Sequence, residues 1–157
     1  MKETTINFSD DITFCEKRLS KKIVKMVLQQ LKQPLSIEVC VSIVDDEQIK
    51  KLNKETRNTN KVTDVLSYPS LQITAGEKIP QNSVFGKTYL GDIIICRPQI
   101  KRQAAEYSVT YKQEFSRMVL HSMLHLLGYD HIKEDDDKVM KAVELPLLQK
   151  ITKIKLI

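Results

Sequence analysis

The chain reads as one α/β (α+β) domain: a mixed sheet of about four strands, helices packed against it, and a long histidine-bearing helix at its centre. Three observations lead there. Stretches with the two-residue rhythm of strands alternate with stretches that carry apolar residues at helical spacing. The 157 residues, 41% apolar and 29% charged, suit one globular core. No repeat, low-complexity tract or long linker divides them, so residues 1–157 are expected to form a single unit.

The first element runs from about Leu19 to Leu31, where Ile23, Val24, Val27, Leu28 and Leu31 make an apolar stripe. Lys21, Lys22, Lys25 and Lys32 read as the solvated face of that core helix rather than as an RNA contact. Pro34 ends it. Ile37, Val39, Val41 and Ile43 then alternate with Glu38, Cys40 and Ser42, as in a strand with one buried face. Asp45 is placed to cap a second helix, with Gln48 at the capping-box position and Ile49 and Leu52 on the buried side. A polar loop containing Arg57 leads into strand composition from Val62 to Tyr68, closed by Pro69.

Residues Ser70 to Lys87 are polar and hold Gly76, Pro80 and Gly86, which predicts a mobile loop or a hairpin connection. The next strand spans Thr88 to Cys96, and Gly91 within it predicts a bulge or a close backbone approach. Pro98 suits the first turn of a short helix. Ser108 or Thr110 then opens the long helix through Phe115, Val119, Leu120, Met123, Leu124 and Leu127. A last helix is expected from about Asp136 to Leu145, with Met140, Val143 and Leu145 inward, ended or kinked by Pro146. The acidic run Glu134 to Asp137 complements the positive end of that helix rather than forming a second metal site.

Composition narrows the functional classes only a little. A net charge of +5 favours an anionic partner weakly and does not by itself select nucleic acid. Cys15, Cys40 and Cys96 are odd in number, far apart and in no CxxC pair, so they read as thiols in a reducing compartment. Met1 to Asp11 lacks the apolar core of a signal peptide, and no apolar run reaches membrane-spanning length. A cytoplasmic location with no membrane partner is expected.

All three histidines of the chain fall within eleven positions, in His121-Ser-Met-Leu-His125-Leu-Leu-Gly128-Tyr-Asp-His131. His121 and His125 are four apart, so on a helix both imidazoles can point at one ion. Gly128 stands where the helix needs a left-handed residue to stop, and the chain can then fold back to bring in His131. Three neutral imidazoles with a fourth position open make a catalytic zinc arrangement, since a structural site would be closed by a fourth protein ligand. One zinc ion at His121, His125 and His131 is therefore expected. Two acids stand in strand sequence, Asp64 and Asp92. Asp64 either caps local backbone donors or faces a functional cleft. Arg57, in its polar loop, is free to swing toward a phosphate.

The HxxxHxxGxxH spacing, zincin-like in itself, is shared with the metzincin proteases. Those enzymes place a glutamate after the first histidine as general base. Here that residue is Ser122, which cannot take a proton near neutral pH without an activating base. A zinc peptidase is the weaker alternative for that reason. A zinc hydrolase of another kind is not affected.

His121 to His131 resembles the signature HGxLHLxGYDH of the YbeY family of bacterial endoribonucleases, also called rRNA maturation factors, with Ser122 in place of the usual glycine. Leu52-Asn53, Arg57 and Thr63 to Pro69 are similar to the family's LNxxYRxxDxPTDVLSFP, and Leu90-Gly91-Asp92-Ile93 to its LGDI. The likeness runs from about Asp45 to Glu144, with three separated motifs in order. Thr56, Asn60 and Val62 depart from the pattern at positions often aromatic, aspartate and proline. These departures bear on rate and specificity rather than on reaction class.

The resemblance implies a zinc-dependent, single-strand-specific endoribonuclease. Its substrate would be ribosomal RNA, in particular the 3′ end of the small-subunit rRNA, and it would serve ribosome quality control. Zinc on the three histidines would polarise a phosphoryl oxygen or activate water, and Arg57 would neutralise charge building on the phosphate. Asp64 and Asp92 are candidates for the proton acceptor, and Asp130 for orienting an imidazole. With few aromatics and no tryptophan, binding should depend on phosphate charge more than on stacked bases. A noncatalytic ribosome-associated RNA-binding protein, with metal only fixing the fold, is the second alternative. It would bind rRNA without cutting it.

Overall fold

The structure, a computed structural model, describes residues 3–81 and 86–153. Among them the order is β1 (Thr5–Phe8), α1 (Phe14–Gln30), β2 (Ile37–Val44), α2 (Asp46–Arg57), β3 (Val65–Pro69), β4 (Thr88–Cys96), α3 (Arg97–Glu106), α4 (Tyr111–Leu126) and α5 (Glu134–Lys153). The four strands form one mixed sheet in the order β1-β2-β4-β3. β1, β2 and β4 run parallel, and β3 is antiparallel to β4 at the other edge.

Ile37, Val39, Val41 and Ile43 are all buried, so the alternation in β2 sets one face of the sheet against the core. That face joins Ile23, Val24 and Val27 of α1 and Phe115, Val119 and Met123 of α4 in one apolar cluster. A smaller cluster of Ile49, Leu66 and Cys96 places α2 on the opposite face, over β3 and β4. Burying a residue of this size contributes about 1.5–3 kcal/mol, so the two layers hold the sheet edge and both flanking helices in fixed relation. The site described below is built across that edge.

Several boundaries differ from the sequence expectation. α1 begins five residues before Leu19, because Thr13 caps it and Glu16 completes a capping box. The Glu16 carboxylate, 2% exposed, also receives Arg97 at 2.7 Å, which ties α1 to α3. β1 was not foreseen. Its four residues show no alternating burial, and its extended form comes from parallel pairing with β2. β3 begins at Val65 instead of Val62, since the Asp64 carboxylate takes the Val65 N–H at 2.7 Å. Pro69 is the last residue of the strand, at the sheet edge that tolerates it.

α5 begins at Glu134 and runs through Pro146 to Lys153, so the proline does not end it. A proline inside a helix costs about 3 kcal/mol. Leu147 and Ile151, buried to 4% and 2%, lie beyond it on the face of Met140 and offset that cost. Leu145 is 56% exposed, not inward as expected. The acidic residues 134–137 form the first turn of α5, as foreseen. Lys150 reaches Gln30 of α1.

Residues 70–81 are irregular and connect the antiparallel neighbours β3 and β4. Residues 82–85 of that predicted loop lie outside the described ones. The described part packs down, with Ile79 2% exposed and Leu71 and Ile73 against the core. Gly91 satisfies both expectations for it. The β2–β4 register slips beside it, and a Cβ there would lie 2.3 Å from the Tyr68 carbonyl oxygen. Among the described residues no helix is long and apolar enough to cross a membrane.

Candidate metal centre

Thr110 starts α4 with its hydroxyl on Gln113 N–H and the Gln113 side chain returning to Thr110 N–H. One face of the helix then carries Arg117, His121 and His125 at four-residue intervals, while Phe115, Leu120 and Met123 go to the core. Ser122 is on the buried side, with its hydroxyl unpartnered among the described residues.

The helix ends at Leu126 with Leu127 as its C-cap, and Gly128 turns the chain at φ +92° so that Tyr129 is buried and His131 returns to the histidine pair. A side chain at position 128 would put its Cβ 2.2 Å from the Ile73 carbonyl oxygen, in a backbone conformation that L residues avoid. Gly128→Ala is therefore expected to destabilise the metal-free protein by about 2–4 kcal/mol in urea unfolding. It should also weaken metal binding by displacing His131.

The three imidazoles converge. The Nε2 atoms of His121 and His125 are 3.0 Å apart, and the ligand nitrogens of all three rings lie within 4.8 Å of one another. A tetrahedral zinc with Zn–N near 2.05 Å holds its nitrogens about 3.3 Å apart, so the helical pair already has the spacing and the exposed His131 ring needs only a small swing. Burial pushes the His125 imidazolium down to a pKa of about 4, and the neighbouring His121 and His131 push the same way. Asp130 and a backbone hydrogen bond at Tyr129 oppose that shift without overcoming it. Near neutral pH the ring is uncharged, with a lone pair available to a cation.

Glu144 of α5 accepts a hydrogen bond from His121 Nδ1 at 3.2 Å. Asp130, expected to orient an imidazole, instead accepts the backbone N–H of His131 at 2.7 Å and so shapes the turn that delivers this ligand.

The histidines sit in a cleft of about 650 Å³ whose other wall comes from the end of α2 and the entry to β3. Arg57 and Asp64 line the same cleft. Arg57 is not a loop residue. It closes α2, which Asn58 caps in a left-handed conformation, and its Nη2 donates to the Ser67 carbonyl at 3.0 Å. The guanidinium also lies 6.0 Å from the Tyr68 ring centroid, so it is guided by β3 rather than free to swing. Asp64 combines its two predicted roles. Its Oδ1 accepts from Val65 N–H and Thr63 Oγ1 while the residue faces the cleft. Asp92 does not belong to the site, and its carboxylate accepts the Tyr89 hydroxyl at 2.6 Å.

One cleft residue was missed. Arg117 stands one turn before His121 and is gripped at both ends of its fork by Glu114, at 2.6 and 2.8 Å. Burial alone would raise the Glu114 carboxyl, but hydrogen bonds from Arg117 and Gln103 win and hold it below the usual carboxylate range. The 117, 121, 125 spacing was available as a signal.

A mixed sheet, a central helix with two imidazoles on one face and a third beyond a glycine turn define a zincin-like candidate metal centre that opens into a cleft lined by two arginines and two aspartates. The family model for Endoribonuclease YbeY matches residues 5–152. The endoribonuclease YbeY of Caldicellulosiruptor bescii is 38% identical over 138 residues, covering 85% of this chain and 87% of that protein. The Desulforamulus reducens endoribonuclease YbeY is 37% identical over 147 residues, covering 92% and 94%. This chain belongs to the endoribonuclease YbeY family. Its fold is also similar to the solution structure of TM1509 from Thermotoga maritima, with a TM-score of 0.57 at 20% identity over 98% of this chain and 94% of that one.

Proposed function

We propose that this chain, acting as one domain in the cytoplasm, is a zinc-dependent endoribonuclease that cuts single-stranded RNA. Its role would be ribosomal RNA processing, in particular at the 3′ end of the small-subunit rRNA, and ribosome quality control, with the small ribosomal subunit as partner. One observation carries the reading: three convergent imidazoles share a cleft with Arg57 in a chain of an endoribonuclease family.

His121, His125 and His131 would hold the zinc, which would supply Lewis acidity to a phosphoryl oxygen and lower the pKa of water. Arg57 binds the scissile phosphate and offsets the negative charge that grows on it. Asp64 accepts the proton, being the one of the two candidate acids that faces the cleft. Arg117 adds a second guanidinium to the same wall as the histidines. A cleft of about 650 Å³ is in the range of small-ligand sites and suits one strand rather than a duplex.

The test incubates metal-quantified protein with single-stranded RNA, double-stranded RNA and casein. Single strands should be cut, duplex poorly, and casein not at all. RNA affinity should fall with salt at a log–log slope of about −1.4 or steeper, as expected if at least Arg57 and Arg117 each displace a counterion. Casein cleavage would favour the peptidase, and RNA binding without cleavage would favour the noncatalytic binder. A flat salt response would count against an RNA substrate altogether.

A further inference from the structure

We propose that Glu144 is a positioning residue for the metal centre, holding His121 in the tautomer whose Nε2 lone pair faces the ion. The inference rests on reading His121, His125 and His131 as the ligands. Carboxylate oxygens accept hydrogen bonds, so the 3.2 Å contact to Glu144 Oε2 favours the His121 tautomer with its ring proton on Nδ1. In that tautomer of the neutral ring the lone pair is on Nε2, on the opposite edge, which is the atom that meets His125 Nε2 at 3.0 Å. Glu144 lies behind the ring, on the edge away from the metal position. It acts through His121 and not as a fourth ligand.

The carboxylate is held rather than loosely placed. Its side chain is 13% exposed, and Met140 and Leu147, one turn to either side on α5, are buried to 1% and 4%. Lys141, one turn before it on α5, makes its ion pair with Asp137 at 2.7 Å and also feels the Glu144 charge. α5 thus reaches over α4 to deliver one acceptor to one ligand. A carboxylate in this relation to a metal-binding imidazole fixes its orientation and raises its basicity, and loss of such a partner weakens metal binding about 10–100-fold.

The test measures zinc affinity by competition with a chromophoric chelator, in the absence of RNA, for wild type, Glu144→Leu and Glu144→Gln. The leucine variant should bind zinc about 10–100-fold more weakly. The glutamine variant, which keeps an oxygen acceptor but loses the charge, should show a smaller loss of about threefold or more. ¹⁵N shifts of the metal-free wild type should place the His121 proton on Nδ1, and that preference should fade in Glu144→Leu. Far-UV circular dichroism reports whether the variants fold. Should the leucine variant fail to fold, the glutamine variant decides, and unchanged zinc affinity there overturns the proposal. So does a folded leucine variant within about twofold of wild type, or a wild-type His121 protonated on Nε2. A wild type that binds no zinc overturns the metal reading and this inference together. Weakened zinc binding in the variants with no RNA cleavage by any form would defeat the ribonuclease reading and leave the role of Glu144 standing.

Discussion

Replacing His125 with alanine is expected to remove zinc and reduce RNA cleavage by at least about 100-fold while leaving the protein folded. His125 is the middle of the cluster, with ring centroids 4.6 Å from His121 and 5.1 Å from His131, so its loss leaves two donors that no longer surround a point. Zinc sites of the catalytic kind use three protein ligands, and two imidazoles bind far more weakly. The fold should tolerate the change because the core face of α4 is made by Phe115, Leu120, Met123 and Leu124, all fully buried. Alanine is also the better helix former. The check is zinc content by atomic emission, circular dichroism, and cleavage of a labelled single-stranded RNA. A variant that stays folded, holds no zinc and still cuts at the wild-type rate would remove the metal from the reaction.

What the sequence made legible depended on whether a feature was local. The β2 alternation, the Asp45–Gln48 capping box and the histidine spacing are patterns within a few residues, and all three hold in the structure. β1 was hidden because Thr5 to Phe8 become a strand only through Glu38 to Val41. Pro146 misled because the local rule for proline is outweighed by buried Leu147 and Ile151, which no short window shows to be core. Leu145 misled with it, since a helix continuing through residue 151 takes its inward phase from Met140, Leu147 and Ile151.

The site divides in the same way. Its histidine half is one helix and one turn, and the convergence of the three rings could be read from spacing. That Arg57 faces it depends on α2 and β3 meeting α4 across the sheet edge, and only the resemblance to known ribonucleases anticipated that. Glu144 lies 23 residues from His121 on another helix, with no periodic relation to it, and required the packing of α5 on α4. Asp130 illustrates the converse: adjacency to a ligand suggested a role on its imidazole, whereas its carboxylate bonds the ligand's backbone.

Arg57→Glu should lower RNA cleavage by about 10³-fold and leave zinc content unchanged, the outcome that separates phosphate recognition from metal binding. Removal of one preorganised donor to a developing oxyanion typically costs about 10²–10³ in rate. Reversing the charge goes further, because a carboxylate in the same cleft repels the phosphate it should hold. The structural cost is small. Arg57 is exposed, and what is lost is one hydrogen bond to Ser67 and a contact with the Tyr68 ring, together about 1 kcal/mol. None of the metal ligands is among its partners, so zinc affinity has no reason to move. Arg57→Lys separates charge from shape. Lysine keeps the cation but not the planar fork, and it should recover part of the activity, more in KM than in kcat if the fork aligns the phosphate for attack. Undiminished cleavage by Arg57→Glu with full zinc would show that the phosphate is held elsewhere, with Arg117 the remaining guanidinium in the cleft to test.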